Sequence, residues 1–413
     1  MTTTLTGNST TPPAPTGTDR LLAATGPELS AHVARYGPAR AVGREFIDVV
    51  SAAGLTGRGG AGFPVARKLA AVADGRRAIV VANGAEGEPD SDKDAVLLRR
   101  APHLVLDGLS VVAAAVGAGR CYLYAPQQLL DPIRHALAER QSTGYDTRRV
   151  DLTPAADTFL AGEKSAVLER LAGRAPIPRD KPVSTSRSGL NGRPALVQNV
   201  ETLAHLALLA RFGPSWFRAA GTPDEPGTML VTLSGTTAAG VVEIPLGTGL
   251  PEVIQRFGRT DPAAVQAVLV GGYHGAWLPG AALPGAALSR KALRHWHATP
   301  GAGVVRVLRH DECGLRVTTD ITAYLAAQSA GQCGPCRNGL PQLARAIGDL
   351  AADGPARPQD IARVADLVDG RGACHHPDGT ARLARSALTV FAEEIDRHKH
   401  GYCRARSRSQ GAA

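Results

Sequence analysis

The sequence has few aromatic residues and few cysteines. Phe, Trp and Tyr make up 4% of the 413 residues, and there are six cysteines. Six cysteines in a chain of this length do not form the dense framework of a small disulfide-stabilised domain. In a chain without an export signal, clustered cysteines more often bind metal or carry out redox chemistry. The length predicts about two to four domains.

Long apolar runs and blocks of like charge are also absent. No segment approaches the roughly 18–20 apolar residues of a membrane helix. Residues 1–18 lack the apolar stretch of a signal peptide, so we expect a disordered leader there and a basic tail over 401–413. The net charge of +9 is spread along the chain, which favours anionic ligands or acidic protein partners over nucleic acid. We expect a cytoplasmic protein, or one peripheral to a membrane complex, without membrane insertion.

The hydrophobic pattern divides the chain into three regions. Over 19–226, helical stretches alternate with short β runs such as 78–83 and 120–125, which predicts an α/β domain. Residues 227–300 are β-rich and predict a small sheet-plus-helix module, with strands at 229–234, 240–244 and 267–270 and a helix at 251–257. Residues 311–400 carry apolar residues at intervals of three or four and predict a helical bundle, with helices at 319–329, 340–350, 358–368 and 380–399.

A glycine-rich loop, Gly57–Pro64 (GRGGAGFP), is the first chemical motif. Glycines permit positive φ and let a ligand approach backbone N–H groups. A dinucleotide fingerprint requires a strand before such a loop, whereas residues 41–53 have a helical pattern. This disfavours a standard Rossmann unit. A connector without function would not need four glycines in six residues.

An acidic loop follows the strand at 78–83. It contains Glu86 and Glu88 and continues to Asp94, with five acidic residues in nine positions. The segment is either a solvated turn or a loop on the ligand side of an α/β sheet, where binding sites usually lie.

Four motifs follow one another along the chain: Gly54–Pro64 (GLTGRGGAGFP), Asn83–Pro89 (NGAEGEP), Asn199–Leu203 (NVETL) and Gly331–Gly339 (GQCGPCRNG). In this order they resemble the NADH-binding flavoprotein subunit of complex I and its hydrogenase and formate-dehydrogenase relatives. The resemblance covers roughly residues 40–400. It implies an α/β domain that binds FMN and NADH, a ubiquitin-like β-grasp module and a helical iron–sulfur domain. It also implies hydride transfer from NADH to FMN and single electrons leaving through a [4Fe–4S] cluster.

The resemblance assigns roles residue by residue. Glu86 and Glu88 lie at the nicotinamide side and are expected to be catalytic. The expected cofactor-binding residues are Gly57, Arg58, Gly59, Gly60, Ala61, Gly62, Phe63, Lys68, Asn83, Glu163 and Asn199.

Five positions depart from the family pattern. Ala85 replaces an Asp, Lys164 replaces an acidic residue, and Gln198 replaces an Asn. Ala71 and Ser184 replace two aromatic residues that sandwich the adenine. Because base–aromatic stacking contributes about 1–3 kcal/mol per base, we expect FMN binding but weak NADH binding.

The cysteine motif of the family is also incomplete. Cys333, Cys336 and Cys374 match its spacing, whereas Ala330 stands where the first cysteine is expected. The three thiolates fit a [4Fe–4S] cluster with another fourth ligand, a [3Fe–4S] cluster, or a Cys₃His zinc site. Candidates for the fourth ligand are His375, His376 and Cys403. We expect Cys121 and Cys313 to be ordinary buried thiols.

Three functions remain open at this point. The first is an NADH dehydrogenase module that feeds a partner electron carrier, either another electron-transfer subunit or a ferredoxin-like protein, in a hetero-oligomer. The second is an electron-transfer or scaffold subunit of the same fold that has lost tight NADH binding. The third is a zinc-stabilised nucleotide-binding protein.

Overall fold

The structure is a computed structural model. It describes residues 13–15, 17–75, 77–180, 185–352, 354–403 and 405. Most of the predicted leader and basic tail therefore lies outside the described residues. Within them, no helix is long and apolar enough to cross a lipid bilayer.

The first sheet has four parallel strands in the order β3-β2-β1-β4. The strands are β1 (Ile79–Asn83), β2 (Arg120–Ala125), β3 (Val150–Pro154) and β4 (Ala195–Asn199). The accompanying helices are α1 (Leu29–Tyr36), α2 (Phe46–Ala53), α3 (Val65–Ala73), α4 (Lys93–Arg100), α5 (Pro102–Ala115), α6 (Leu130–Ser142), α7 (Lys164–Leu171) and α8 (Val200–Arg218, kinked at Gly213). The predicted α/β layer is confirmed, and a helix precedes the glycine-rich loop as expected.

The second sheet has five strands in the order β6-β5-β9-β7-β8. They are β5 (Thr228–Ser234), β6 (Gly240–Pro245), β7 (Val265–Val270), β8 (Ala276–Pro279) and β9 (Val304–Arg309), with short helices α9 (Leu250–Glu252) and α10 (Arg290–Leu293). In chain order β5 is the first strand of this sheet and β9 the last, and the two are parallel neighbours at its centre. The other three pairs of neighbouring strands are antiparallel. This is the arrangement expected of a β-grasp module.

The sequence pattern placed the end of this module too early. Strand β9 lies beyond the expected boundary at 300, in the gap left before the helical region. It was missed because its partners, β5 and β7, lie far away along the chain, and such pairing leaves no local signal.

The C-terminal region is helical, as predicted. It contains α11 (Gly314–Ala327), α12 (Leu340–Ala351), α13 (Pro358–Val368), α14 (His376–Val390) and α15 (Ala392–His398). The single helix expected at 380–399 is two helices, because the backbone leaves helical geometry at Phe391 (φ −105°, ψ 25°). The Phe391 ring is buried and packs 5.1 Å from the ring of Trp277, so tertiary packing overrides the helical pattern here.

An aromatic junction, formed by Phe159, His274 and His376, joins the three parts of the chain. The Phe159 ring lies 4.7 Å from that of His274 and 5.5 Å from that of His376. The two histidines share a 3.0 Å hydrogen bond. This contact fixes the helical bundle against both sheets.

Candidate flavin and iron–sulfur sites

Two asparagines mark the carboxyl edge of the first sheet. Asn83 ends β1, Asn199 ends β4, and the two residues are register partners on neighbouring parallel strands. Ligands of open α/β sheets bind at this edge. Asn83 donates to the Gly162 carbonyl at 3.0 Å, and Asn199 caps α8 by accepting from the Glu201 N–H at 3.0 Å.

The glycine-rich loop folds over this edge. The Gly57 N–H donates to the Phe63 carbonyl at 3.0 Å and closes the loop. Gly60 and Gly62 have φ of +96° and +61°, a region that side chains with a Cβ rarely adopt. A Cβ on Gly59 would lie 3.1 Å from the Cβ of Asn199. Glycine is therefore needed both for the loop conformation and for its close approach to the sheet edge.

Arg290 supports the loop from the second sheet's side, and no local motif in the sequence points to this role. Its guanidinium donates to the Gly60 carbonyl at 2.8 Å and fills the space that a Cβ on Gly62 would occupy.

A cavity of about 690 Å³ lies between the loop and the sheet edge, within the roughly 300–1,000 Å³ typical of small-molecule sites. Of the expected cofactor-binding residues, nine line it: Gly57, Gly59, Ala61, Gly62, Phe63, Lys68, Asn83, Glu163 and Asn199. Arg67 and Lys164 add positive charge to the wall. The glycine cradle and the basic wall fit a flavin mononucleotide, which has a flat ring and an anionic phosphate.

Lys68 crosses the floor of this cavity. Its Nζ donates to the Val197 carbonyl at 3.1 Å and to Gln198 Oε1 at 3.3 Å. Burial, and then the nearby Lys164, lowers the pKa of Lys68 to about 8. A nearby phosphate would favour the charged form further, because an opposite charge at close range stabilises it.

Two expected flavin contacts lie outside the cavity wall. The Arg58 guanidinium is buried and donates to the carbonyls of Thr56, Thr228 and Pro226 at 3.1–3.2 Å. It therefore ties the loop to β5. Gly60 presents its carbonyl to Arg290 instead of to the cavity.

The two expected catalytic acids also lie outside this cavity. Glu86 lines a neighbouring cavity of about 370 Å³ and accepts from the Ser91 hydroxyl and, at 3.1 Å, from the Asp94 N–H. Glu88 accepts from the Tyr273 N–H at 2.7 Å, which joins the acidic loop to the β7–β8 turn. Burial is the main cause that raises the pKa of each carboxyl to about 8.

A buried ionic network lies behind Asn199. Lys93 pairs with Asp94 at 2.8 Å and with Glu201 at 2.7 Å, and Asp94 accepts from the Asn199 amide at 2.6 Å. Glu201 also accepts from the Leu230 N–H at 2.8 Å. The network thus fixes the sheet edge against the second sheet. Its sequence signal was weak, because the adjacent charges Lys93 and Asp94 at a helix start look like ordinary surface residues.

Glu163 has two structural roles, one in the cavity wall and one at the start of α7. It lines the cavity, and its carboxylate caps α7 by accepting from the N–H groups of Ser165 at 2.7 Å and Ala166 at 3.1 Å. Among the departures from the family pattern, Ala71, Lys164 and Gln198 lie in the cavity wall. Ser184 lies outside the described residues.

The three cluster cysteines lie just before two helices of the bundle, Cys333 and Cys336 before α12 and Cys374 before α14. Cys336 and Cys374 are buried and Cys333 is partly buried. Burial first, and then the sulfurs of Cys333 and Cys374, raises the pKa of the Cys336 thiol to about 12. Burial by itself would raise the pKa of the Cys333 thiol. Hydrogen bonds from the backbone of Cys336 and Ala373 outweigh this effect, so the pKa of Cys333 is lowered.

The three thiols lie close enough to influence one another. Cys336 interacts directly with the Cys333 side chain and also electrostatically with Cys374. Thiols grouped in this way can hold either a single metal ion or an iron–sulfur cluster.

Two of the three candidates for the fourth ligand have other partners in this structure. His376 uses both ring nitrogens, at 3.0 Å from His274 Nε2 and 2.8 Å from the Leu325 carbonyl. Cys403 lies beside the buried Cys313, in a group of potential ligands that is separate from the three cluster thiols. His375 bonds Asp378 through Nδ1 at 2.9 Å and lines the glycine-loop cavity.

Comparison with known proteins agrees with this geometry. Residues 50–208 match the family model of the Nuo51 FMN-binding domain. Residues 316–398 match that of the NADH-ubiquinone oxidoreductase-F iron-sulfur binding region. The second F subunit of the NADH-quinone oxidoreductase of Rhizobium meliloti (strain 1021) is 32% identical over 374 residues, which cover 86% of this chain and 88% of the relative. The chain belongs to the family of NADH-quinone oxidoreductase F subunits.

Two further relatives support the assignment. The F subunit of the NADH-quinone oxidoreductase of Streptomyces coelicolor is 30% identical over 383 residues, covering 86% of this chain and 83% of the relative. A chain of the NAD⁺-reducing [NiFe]-hydrogenase in the H₂-reduced state superposes with a TM-score of 0.79 at 29% identity. This match covers 85% of the present chain but 62% of the hydrogenase chain. The predicted family is confirmed, as are the FMN-binding and iron–sulfur regions that it implies.

Proposed function

We propose that this chain is an electron-input subunit that oxidises NADH at an FMN site and delivers electrons to a partner through an iron–sulfur cluster. One observation carries the proposal. His375 lines the glycine-loop cavity, and the next residue toward the N-terminus is the cluster thiol Cys374. A flavin and a cluster held by these residues would be close neighbours.

The chain's own residues supply the flavin site. Gly59 and Gly62 line the cavity that would hold the ring, Asn83 and Asn199 present polar atoms at the sheet edge, and Lys68 supplies positive charge for the phosphate. When bound, FMN supplies the conversion of a two-electron hydride donor into single-electron transfers. The acidic loop with Glu86 and Glu88 forms the nicotinamide side in this proposal, and protonated carboxyls there would not repel the dinucleotide phosphates.

The cluster site is assigned to Cys333, Cys336 and Cys374. Three thiolates hold either a three-iron cluster or a four-iron cluster whose last corner takes another ligand. Of the candidates from the sequence, His375 keeps a ring nitrogen that is not used by Asp378.

A second candidate function is supported by the wall of the cavity. Ala71 provides no aromatic platform for an adenine, and Lys164 changes the charge expected at its position. An electron-transfer or scaffold subunit that keeps FMN and the cluster but does not bind NADH tightly would have these features.

The partner is proposed to be another electron-transfer subunit or a ferredoxin-like protein, in a hetero-oligomer located in the cytoplasm. In this proposal electrons pass from FMN to the cluster and must then leave the protein. Because the described residues contain no second Cys-x₂-Cys motif, the acceptor is expected to be another protein.

The test is an absorption spectrum of the full chain purified without oxygen, before and after addition of NADH. Flavin bands and a broad cluster band that both bleach with NADH are expected. The matched control is Cys336→Ala, in which NADH should bleach the flavin while the cluster band is missing. Bleaching by dithionite but not by NADH favours the second candidate. Protein without flavin contradicts both.

A further inference from the structure

Four potential metal ligands meet at the far end of the helical bundle. Cys313 precedes α11, Glu394 and His398 lie one turn apart on α15, and Cys403 follows α15. One ligand atom from each lies within 4.8 Å of all the others, and all four residues are buried. The set is separate from the cluster cysteines, because it contains none of them.

The distances within this group match a tetrahedral ion. His398 Nε2 lies 3.5 Å from Cys313 Sγ and 3.2 Å from Glu394 Oε1. Around a zinc ion with Zn–S of about 2.3 Å and Zn–N or Zn–O of about 2.0–2.1 Å, a tetrahedron places N and S about 3.5 Å apart and N and O about 3.3 Å apart. Both observed distances agree with these edges.

The hydrogen bond on the other side of the imidazole fixes which nitrogen faces the group. His398 Nδ1 lies 2.8 Å from the Ala351 carbonyl. A carbonyl only accepts, so Nδ1 carries the proton, and the lone pair of a neutral imidazole is on Nε2. That lone pair faces a carboxylate oxygen, which is also an acceptor. Either a second proton or a cation must lie between them.

We propose that Cys313, Glu394, His398 and Cys403 bind a zinc ion. Two thiolates and an imidazole are ligands that zinc prefers, and a carboxylate completes four-coordination. The Ala351 carbonyl orients the imidazole, as outer-shell acceptors do in zinc sites. Because all four positions come from the protein and are buried, no position is left for a substrate, and the site is structural.

The bound ion would close the helical bundle. It joins the residue before the first helix of the bundle to the segment after its last helix, and Ala351 brings in the end of α12. Cys313 and Cys403 belong to the same hydrophobic cluster as the bundle's core residues. A cavity of about 530 Å³ opens beside His398 and Cys403 and offers an entry path.

The site can be tested by metal analysis of the full chain produced with added zinc. We expect one zinc per chain in the unmodified protein and in Cys336→Ala, which separates this site from zinc bound at an empty cluster site. Cys403→Ser should lower zinc affinity by more than about tenfold, as loss of even outer-shell partners can do. Cys121→Ser, which changes a buried thiol on β2, is the matched control and should keep its zinc.

Two further measurements distinguish loss of a zinc ligand from misfolding of the Cys403→Ser variant. Cobalt(II) added to the zinc-free chain should give the intense visible bands of tetrahedral thiolate coordination, and Glu394→Gln should weaken cobalt binding while the fold is kept. A zinc chelator should lower the Tm of the unmodified chain but not that of Cys403→Ser. Absence of zinc from the unmodified protein, unchanged zinc in Cys403→Ser, or a Cys313–Cys403 disulfide in non-reduced peptide maps would each overturn the proposal. None of these results depends on flavin or NADH.

Discussion

The Asn199 amide donates a 2.6 Å hydrogen bond to Asp94, and this bond links the sheet-edge asparagine to the buried Lys93. Replacing Asp94 with Ala should release Asn199 and lower the free energy of unfolding by about 1–3 kcal/mol, the usual cost of leaving a buried polar group without its partner. Flavin should bind more weakly as well. Chemical denaturation and flavin titration measure the two effects. The matched control is Asp92→Ala, whose exposed carboxylate makes a 3.8 Å pair with Arg99. An equal loss in both variants would contradict this role for Asp94.

Gly59→Val tests the glycine cradle. The added Cβ would lie 3.1 Å from the Cβ of Asn199, so the side chain must displace either the asparagine or the flavin. Overpacking of about 1–3 kcal/mol corresponds to a rise in the FMN dissociation constant of about fivefold to 150-fold. Fluorescence titration of flavin-free protein measures it. Gly119→Val is the control, because a Cβ there meets nothing within 4 Å. Full flavin affinity in Gly59→Val would refute the cradle.

Ala71→Phe should strengthen NADH binding. Ala71 is exposed in the cavity wall, and an aromatic ring there would give the adenine a stacking platform worth about 1–3 kcal/mol. We therefore expect the NADH dissociation constant to fall by about tenfold, measured by following flavin bleaching during titration. Ala71→Leu adds comparable bulk without an aromatic face and should show little gain. Equal gains in NADH affinity in both variants would show that the size of the side chain, and not its aromatic face, causes the effect.

Ala330→Cys should protect the cluster from air. Cys333, Cys336 and Cys374 leave one iron corner without a cysteine, and a thiolate at residue 330 would occupy it. Electron paramagnetic resonance during exposure to air should show a rapid three-iron signal in the unmodified protein and a slower change in Ala330→Cys. Cys336→Ala should hold no cluster, while Cys121→Ser should behave like the unmodified protein. Equal rates with and without the new thiol would mean that the corner is already protected.

Stability should decrease with rising pH because of Glu88. Burial raises the pKa of its carboxyl from 4.5 to about 8, so the folded protein holds a proton that the unfolded chain releases between these values. The free energy of unfolding should therefore fall across this window, by at most about 1.4 kcal/mol per pH unit for one group. Glu88→Gln should reduce the slope in urea denaturation from pH 5 to pH 8. Part of the slope should remain in this variant, because the pKa of Glu86 is also about 8. An unchanged slope would show that Glu88 does not titrate in this window.

Local patterns were sufficient for much of the fold, and the family resemblance pointed to most of the residues that line the glycine-loop cavity. Strand β2 and helix α13 have the predicted bounds, and the glycine-rich loop meets Asn83 and Asn199 at one sheet edge. The roles of Arg58 and Arg290 were not predictable, because both depend on carbonyl groups brought close by distant segments. The grouping of Cys313 with Cys403 was missed for the same reason. The relevant signal, Glu394 and His398 four residues apart on one helix, was visible but had no partner in the local sequence.

The position of β9 has a consequence for synthesis of the chain. Thr232 in β5 pairs with Val304 in β9, and β9 also pairs with β7. The hairpins β5–β6 and β7–β8 thus leave the ribosome before the strand that joins them. Until then both hairpins have an unpaired inner edge, which is a template for pairing with other molecules. The sheet forms only when a long loop has closed to bring β9 against β5, and such long-range pairing is slow. The β-grasp module is therefore most vulnerable to misassembly while its last strand is still being translated.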